Sequence, residues 1–229
     1  MEFGPGAVDR FRERRAHLIE QLRETGVRDL TVLYAFDRVP RHLFVPELFL
    51  ARAYHDEALL IGQGQTISKP STHALYLETL ALQGSERVLE IGTGSGFQTA
   101  LLAQLAYQVF SIERFPDLAS AARARIDALG ISNVVMRVGD GSFGWRTFSP
   151  FDAILVTACA PELPAALVEQ LKPGGRMLIP IGTPESQTLH KIVRTNAGDL
   201  EDAVIAQVRF VSMRGASGQP ELDEQVSRN

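Results

Sequence analysis

The sequence predicts an α/β fold, doubly wound about a mostly parallel seven-stranded sheet and preceded by a helical N-terminal extension. Three observations predict it. From Arg87 to Ile181, short apolar runs rich in Val, Ile and Leu alternate with segments of helical spacing, the pattern of strands joined by crossover helices. Residues 88–100, VLEIGTGSGFQTA, pass from buried strand to glycine-rich turn to helix within thirteen positions. Glu90, Glu113, Asp140 and Thr157 fall at or just beyond the carboxyl ends of strands, the edge where such sheets bind ligands.

Taken in order, residues 1–7 contain Gly and Pro and are expected to be loose. Phe11, Leu18, Ile19 and Leu22 recur at helical spacing with Arg and Glu between them, so a first helix has one apolar and one charged face. Its arginines suit a solvated face, with RNA or an acidic partner as the alternative. Asp29 can cap a second helix through Phe36, in which Leu30, Leu33 and Tyr34 share the apolar face. Pro40 and Pro46 reduce residues 40–53 to short helical turns. Residues 57–71, EALLIGQGQTISKPS, begin apolar and become a loop. Pro70 suits the first turn of a third helix, which runs to about Leu82 with Ala74, Leu77 and Ala81 inward and Gly84 ending it. The alternation then gives strands at 87–91, 108–112, 134–138, 153–157 and 176–181, with helices at 97–105, 117–129 and 163–171. Between 138 and 153, GDGSFGWRTFSP carries at most a short helix. Final strands at 189–193 and 204–211 precede a polar, frayed tail at 218–229.

Composition sets the bounds. A 229-residue chain that is 45% apolar supports one sizeable domain. It is expected to comprise helices and a binding loop (1–69), the sheet core (70–217) and the tail. A net charge of −4 argues against a general nucleic-acid binder. The lone Cys159 excludes an internal disulfide. No leader and no apolar run of spanning length stands out, so no membrane partner is expected, and a cytoplasmic monomer is the simplest reading.

The glycine turn is the first chemical clue. Glycines there allow positive φ and close ligand approach, and the following helix offers free N–H groups. A tight strand-to-helix connection without ligand is the plain alternative. A dinucleotide fingerprint would put its third glycine at Phe97. The chain instead has Glu90-x-Gly92-x-Gly94-x-Gly96, which resembles the first motif of class I S-adenosylmethionine-dependent methyltransferases. That resemblance implies that the turn, with Ser95, holds the cofactor's amino-acid end and that Glu90 assists its ammonium group. Glu113, followed by Arg114, ends the second strand where a carboxylate can accept both ribose hydroxyls; a salt bridge to Arg114 is the alternative. Asp140 matches the acid this class sets beside the adenine amino group, with Gly141 letting the loop lie close to the ring. A simple turn-forming Asp is the alternative.

The runs VPRHLFVPE, AYHDEALLIGQGQTISKP, VLEIGTGSGFQTALLA, GDG, FDAILVTACAP and QLKPGGRMLIPIG, in this order, resemble the protein-L-isoaspartate O-methyltransferase family from Arg38 to Gly182, with a weaker likeness at FVSMRG. GQTIS is the specific part. The resemblance implies a Rossmann-like methyltransferase sheet, S-adenosylmethionine as methyl donor and isoaspartyl proteins and peptides as acceptors. It makes Ser68 the active-site serine, lays Gln65, Thr66 and Ile67 across the cofactor, and puts His73 beside it. Thr66, Ser68 and Lys69 would face the substrate. A carboxylate is already nucleophilic at neutral pH, so a hydroxyl that orients it suffices, aided by N–H groups at the start of the Pro70 helix. No Gly-x-Ser-x-Gly elbow surrounds Ser68, and no clustered ligands suggest a metal. Leu60, Lys69 and Ser212 depart from the family pattern, all on the substrate side. A dedicated peptide-aspartate methyltransferase and a non-catalytic cofactor-binding protein are the rival readings.

Overall fold

The computed structural model describes residues 11–215. The loose N-terminal segment and the frayed tail expected at 1–7 and 218–229 lie outside the described residues. The extension begins with helices α1 (Arg12–Glu24) and α2 (Leu30–Arg38). Asp29 caps α2, accepting from the N–H groups of Thr31 and Val32. The buried face of α2 is Val32, Leu33, Ala35 and Phe36, whereas Leu30 and Tyr34 face solvent. The spacing reading therefore chose the wrong stripe for two of its three residues. Two 3₁₀ turns, Arg41–Phe44 and Glu47–Arg52, follow as expected from the prolines.

The expected loop at 57–71 contains a hairpin, β1 (Leu59–Gly62) and β2 (Gln65–Ile67), paired antiparallel. Gln63 and Gly64 both have positive φ, the type I′ combination that matches strand twist. Helix α3 (Pro70–Leu80) then stops earlier than Gly84. Ala81 takes the left-handed conformation at φ 48° and is exposed, not inward. Arg176 holds this non-glycine cap by donating to the Leu80 carbonyl and, at 2.9 Å, to that of Ala81.

The large sheet comprises β3 (Arg87–Ile91), β4 (Gln108–Glu113), β5 (Val134–Val138), β6 (Phe151–Val156), β7 (Leu171–Gly182), β8 (Gln187–Arg194) and β9 (Leu200–Val208). Its order is β5-β4-β3-β6-β7-β8-β9. The first five strands run parallel and β8 and β9 antiparallel. Helices α4 (Phe97–Leu105), α5 (Pro116–Ala128) and the short α6 (Ala165–Glu169) make crossovers. The helix expected at 163–171 is shorter because Leu171 already belongs to β7. Strand order reverses beside β3, and Ile91 pairs with both Ile112 and Val156. This register sets Gly92, Glu113 and Thr157 side by side at the carboxyl edge.

Between β5 and β6 stand only the 3₁₀ turns Gly141–Phe143 and Arg146–Phe148. Trp145 and Phe148 cover that face by packing on Phe110, which also meets Phe151. Gln170 fixes the turn between them, accepting from Trp145 N–H at 2.6 Å and donating to the Phe143 carbonyl at 2.8 Å. The last strand also departs from expectation, ending at Val208 and not at Val211. The buried Gln187 side chain accepts from Phe210 N–H at 2.6 Å and donates to its carbonyl at 3.0 Å. Cys159 then exchanges backbone bonds with Val211 and Met213. Residues 209–214 are thereby drawn off the sheet and across its carboxyl edge.

Candidate functional site

The glycine turn is built by fixed contacts. Gly92, Gly94 and Gly96 all have positive φ. The Thr157 hydroxyl reaches the carbonyls of Ile91 and Gly92 at 3.0 and 2.8 Å. A β-carbon on Gly92 would meet Thr157 Oγ1 at 2.3 Å. Gly96 serves packing, since a β-carbon there would press on Ala122 of α5 at 3.1 Å. Gly92, Gly94 and Ser95 line a cleft together with Gln65, Thr66, Ile67, Ser68, His73, Glu113, Arg114 and Gly141. Eleven of the expected site residues thus converge on one space, while Glu90, Gly96, Asp140 and Lys69 stand outside its lining.

Their positions have physical reasons. Glu90 is fully buried, a layer behind the cleft. Its Oε2 accepts from the hydroxyls of Thr99 and Ser111, both at 2.6 Å, while Oε1 has no partner. Burial foremost raises this carboxyl to about 8 against those two hydrogen bonds, so it is protonated at neutral pH. Thr93, which does line the cleft, lies 2.5 Å from Ser111 Oγ. Glu90, expected to assist the cofactor's ammonium group, is thus separated from the cleft and linked to its lining through the hydroxyls of Ser111 and Thr93. Asp140 accepts from Ser142 N–H and Oγ at 2.9 and 2.7 Å, capping the 3₁₀ turn, and it is Gly141 that reaches the cleft. A β-carbon at Gly141 would strike Ile91 at 2.3 Å.

Glu113 accepts from Gly94 N–H at 2.7 Å and Phe115 N–H at 3.0 Å. Each oxygen retains a second lone pair for a hydroxyl donor. His73 is buried, with Nδ1 2.5 Å from Gln98 Oε1. Burial, then the charge of Arg41, push its imidazole down to about 3, so it is neutral. Its Nε2 and the Gln98 Nε2 are both buried without partners.

Ser68 is half-buried, and its carbonyl accepts from Arg41 at 2.8 Å. Arg41, only 1% exposed, also donates to the Ala53 carbonyl at 2.8 Å and lies over the Phe97 ring at 4.9 Å. Burial lowers its guanidinium to about 9, with Asp56 opposing. It ties the hairpin segment to the first residue of α4. The expected anion site at the start of α3 is otherwise employed, because Asp56 accepts from Ser71 N–H and Oγ at 2.8 and 2.9 Å.

A second cavity of about 700 Å³ adjoins the cleft, and Thr66, Ser68, Thr157 and Val211 line both. Lys69 belongs to its wall. Sequence reasoning missed Gln98 and Arg41, and of the three departures expected on the substrate side only Lys69 lines the second cavity: Ser212 lines the first cleft with Val211, Met213 and Arg214, and the exposed Leu60 lines neither. Signals existed in Gln98, a polar residue in the first turn of a largely apolar helix, and in the quoted runs VPRHLF and FVSMRG. Cys159 is buried, and burial raises its thiol, as suits a packed side chain. Among the described residues, no helix is long and apolar enough to cross a membrane.

A mostly parallel sheet closed by an antiparallel β8–β9 pair, with a glycine turn and a strand-end acid at its reversal point and a second cavity beside them, is the architecture of class I S-adenosylmethionine-dependent methyltransferases. Comparison with known proteins is more specific. The profile of the protein-L-isoaspartate(D-aspartate) O-methyltransferase family matches residues 13–218. Protein-L-isoaspartate O-methyltransferase of Syntrophus aciditrophicus is 50% identical over 214 residues, 92% of this chain and 98% of that one. Protein-L-isoaspartate O-methyltransferase 1 of Anaeromyxobacter sp. is 52% identical over 206 residues, 89% and 97% of the two chains. A Plasmodium falciparum structure described as a protein-L-isoaspartate O-methyltransferase, in complex with S-adenosyl-L-homocysteine, superposes with a TM-score of 0.77 at 29% identity, covering 87% and 97%. Another solved protein-L-isoaspartate O-methyltransferase gives 0.79 at 32% identity, covering 86% of this chain and 65% of that one. This chain belongs to the protein-L-isoaspartate O-methyltransferase family.

The residues present fit S-adenosylmethionine. Glu113, on the cleft lining, keeps a spare lone pair on each carboxylate oxygen, and the cleft wall carries the partnerless polar atoms of His73 and Gln98.

Proposed function

We infer that this protein transfers a methyl group from S-adenosylmethionine to the free carboxylate of L-isoaspartyl residues in damaged proteins and peptides, the step that starts their return to aspartate through a succinimide. The observation that carries this reading is the wall common to both cavities: Thr66, Ser68, Thr157 and Val211 face a nucleoside-type cleft on one side and an acceptor-sized space on the other.

When bound, the cofactor supplies an electrophilic methyl group on a sulfonium sulfur. In our reading Gly92, Gly94, Ser95, Glu113, Arg114 and Gly141, with Gln65, Thr66, Ile67 and His73, hold it. Glu90 acts from behind the turn, through Ser111 and Thr93, and Asp140 acts by shaping the Gly141 turn. The neutral state of His73 supports this assignment, since an imidazolium would add a positive charge beside a sulfonium. The acceptor carboxylate needs no base at neutral pH. The Ser68 hydroxyl orients it by hydrogen bonding, Lys69 and Thr66 lie along its approach, and buried Ile67 helps exclude water. The cytoplasm is the compartment this reading expects.

Matched peptides containing isoaspartate or ordinary aspartate test the proposal. Tritiated methyl groups should pass to the isoaspartyl peptide alone; equal labelling of both would defeat the repair reading. Ser68→Ala should keep cofactor affinity and lose most turnover, and full activity in that variant would remove Ser68 from its role.

A further inference from the structure

The second cavity has a charge character of its own. Lys69 precedes α3 and follows Ser68, and Arg209 follows the last residue of β9, where the chain leaves the sheet. Both side chains are exposed, and neither makes a hydrogen bond or ion pair among the described residues. The rest of the lining is neutral, with Thr66, Ser71, Thr72 and Gln207 among its polar members and no Asp or Glu. Asp56 touches the wall through Ser71, and both its oxygens accept hydrogen bonds there. A chain of net charge −4 therefore presents a locally positive cavity.

Two unpaired cations on one cavity act on more than the carboxylate that receives the methyl group. They lower the energy of any further negative charge in its neighbourhood and raise that of a positive one. Thr66, Ser68 and Thr157 place the transfer end at the border with the cofactor cleft, and Arg209 lies on the strand-side wall with Gln207 and Val208. Residues beside the acceptor in the peptide chain must pass between these walls. We propose that Lys69 and Arg209 make the enzyme select isoaspartyl residues flanked by acidic side chains, a specificity that rests on reading this cavity as the acceptor site. Each exposed pair is worth little alone, but a change from lysine to glutamate reverses the sign of two interactions. The expected discrimination is about tenfold.

Three otherwise identical isoaspartyl peptides carrying Glu, Gln or Lys on both sides of the acceptor provide the test. Methylation kinetics give kcat/KM, and fluorescence anisotropy of the labelled peptides gives affinity in the presence of S-adenosylhomocysteine. Wild-type protein should prefer the Glu peptide to the Lys peptide about tenfold in both measurements, the ratio shrinking toward one in 0.5 M salt. Lys69→Gln and Arg209→Gln should each reduce the ratio, and the double variant should bring it within about twofold of unity. Equal use of all three peptides by the wild-type protein, or a ratio undiminished in the double variant, would overturn the proposal. Binding of the peptides with no methylation of any would refute the transfer reading, and the affinities alone would still decide the charge preference.

Discussion

Two buried groups with opposite displacements make a quantitative test of the interior around the cleft. His73 is held neutral, down from 6.5 to about 3, and Glu90 is held protonated, up from 4.5 to about 8. Between pH 4.5 and 6.5 an unfolded His73 binds a proton that the folded one rejects, so its contribution to stability rises with pH. Over the same interval the folded Glu90 keeps a proton that the unfolded one releases, so its contribution falls. Each slope is about 1.4 kcal/mol per pH unit, and in the wild-type protein the two cancel. Removing either group exposes the other. From pH 5.0 to 6.5, His73→Gln should lose about 2 kcal/mol relative to wild type and Glu90→Gln should gain about 2 kcal/mol. For a chain of this size that corresponds to about 4–8 °C in Tm. Urea unfolding followed by circular dichroism at four pH values gives the variant-minus-wild-type difference, from which other titrating groups drop out. A difference that stays constant across the interval for both variants would refute the assigned protonation states.

Other perturbations address the turn and the hairpin. Gly92→Ala drives a β-carbon into Thr157 Oγ1 and forces alanine to φ +94°, so affinity for S-adenosylhomocysteine should fall at least about tenfold by calorimetry while the fold persists. An unchanged affinity would mean that the turn does not hold the cofactor. Arg41→Lys retains the charge but cannot span the carbonyls of Ala53 and Ser68. It should cost about 1–3 kcal/mol of stability and lower kcat for peptide more than it weakens cofactor binding. Equal losses in both would assign Arg41 to the scaffold alone.

Legibility in the sequence followed the distance over which each feature is determined. The strands and glycine turn were readable because apolar period and turn chemistry are local, and Asp29 announced its helix for the same reason. The stop of α3 at Ala81 was not, because no glycine marks it and Arg176, which holds it, lies 95 positions away. The departure of residues 209–214 from β9 depends on Gln187, whose amide looks like any polar strand residue until it meets Phe210. At the site, residues adjacent to the glycine turn were found by pattern. Gln98 and Arg41 matter through burial and partners, which spacing does not report. Glu90 and Asp140, singled out by pattern, each lie behind the residue that lines the cleft, Thr93 and Gly141 respectively. A sequence motif names a neighbourhood more reliably than it names a contact.

Arg41 bears on how such a protein can be taken apart. It reaches from the extension to the hairpin's far end at Ser68 and rests on Phe97, the opening residue of the helix after the glycine turn. The extension is consequently not a detachable module that confers an acceptor on a ready-made donor-binding sheet. A chimaera that transplants residues 11–69 onto another methyltransferase core would carry the arginine without its aromatic seat, unless Phe97 travels with it.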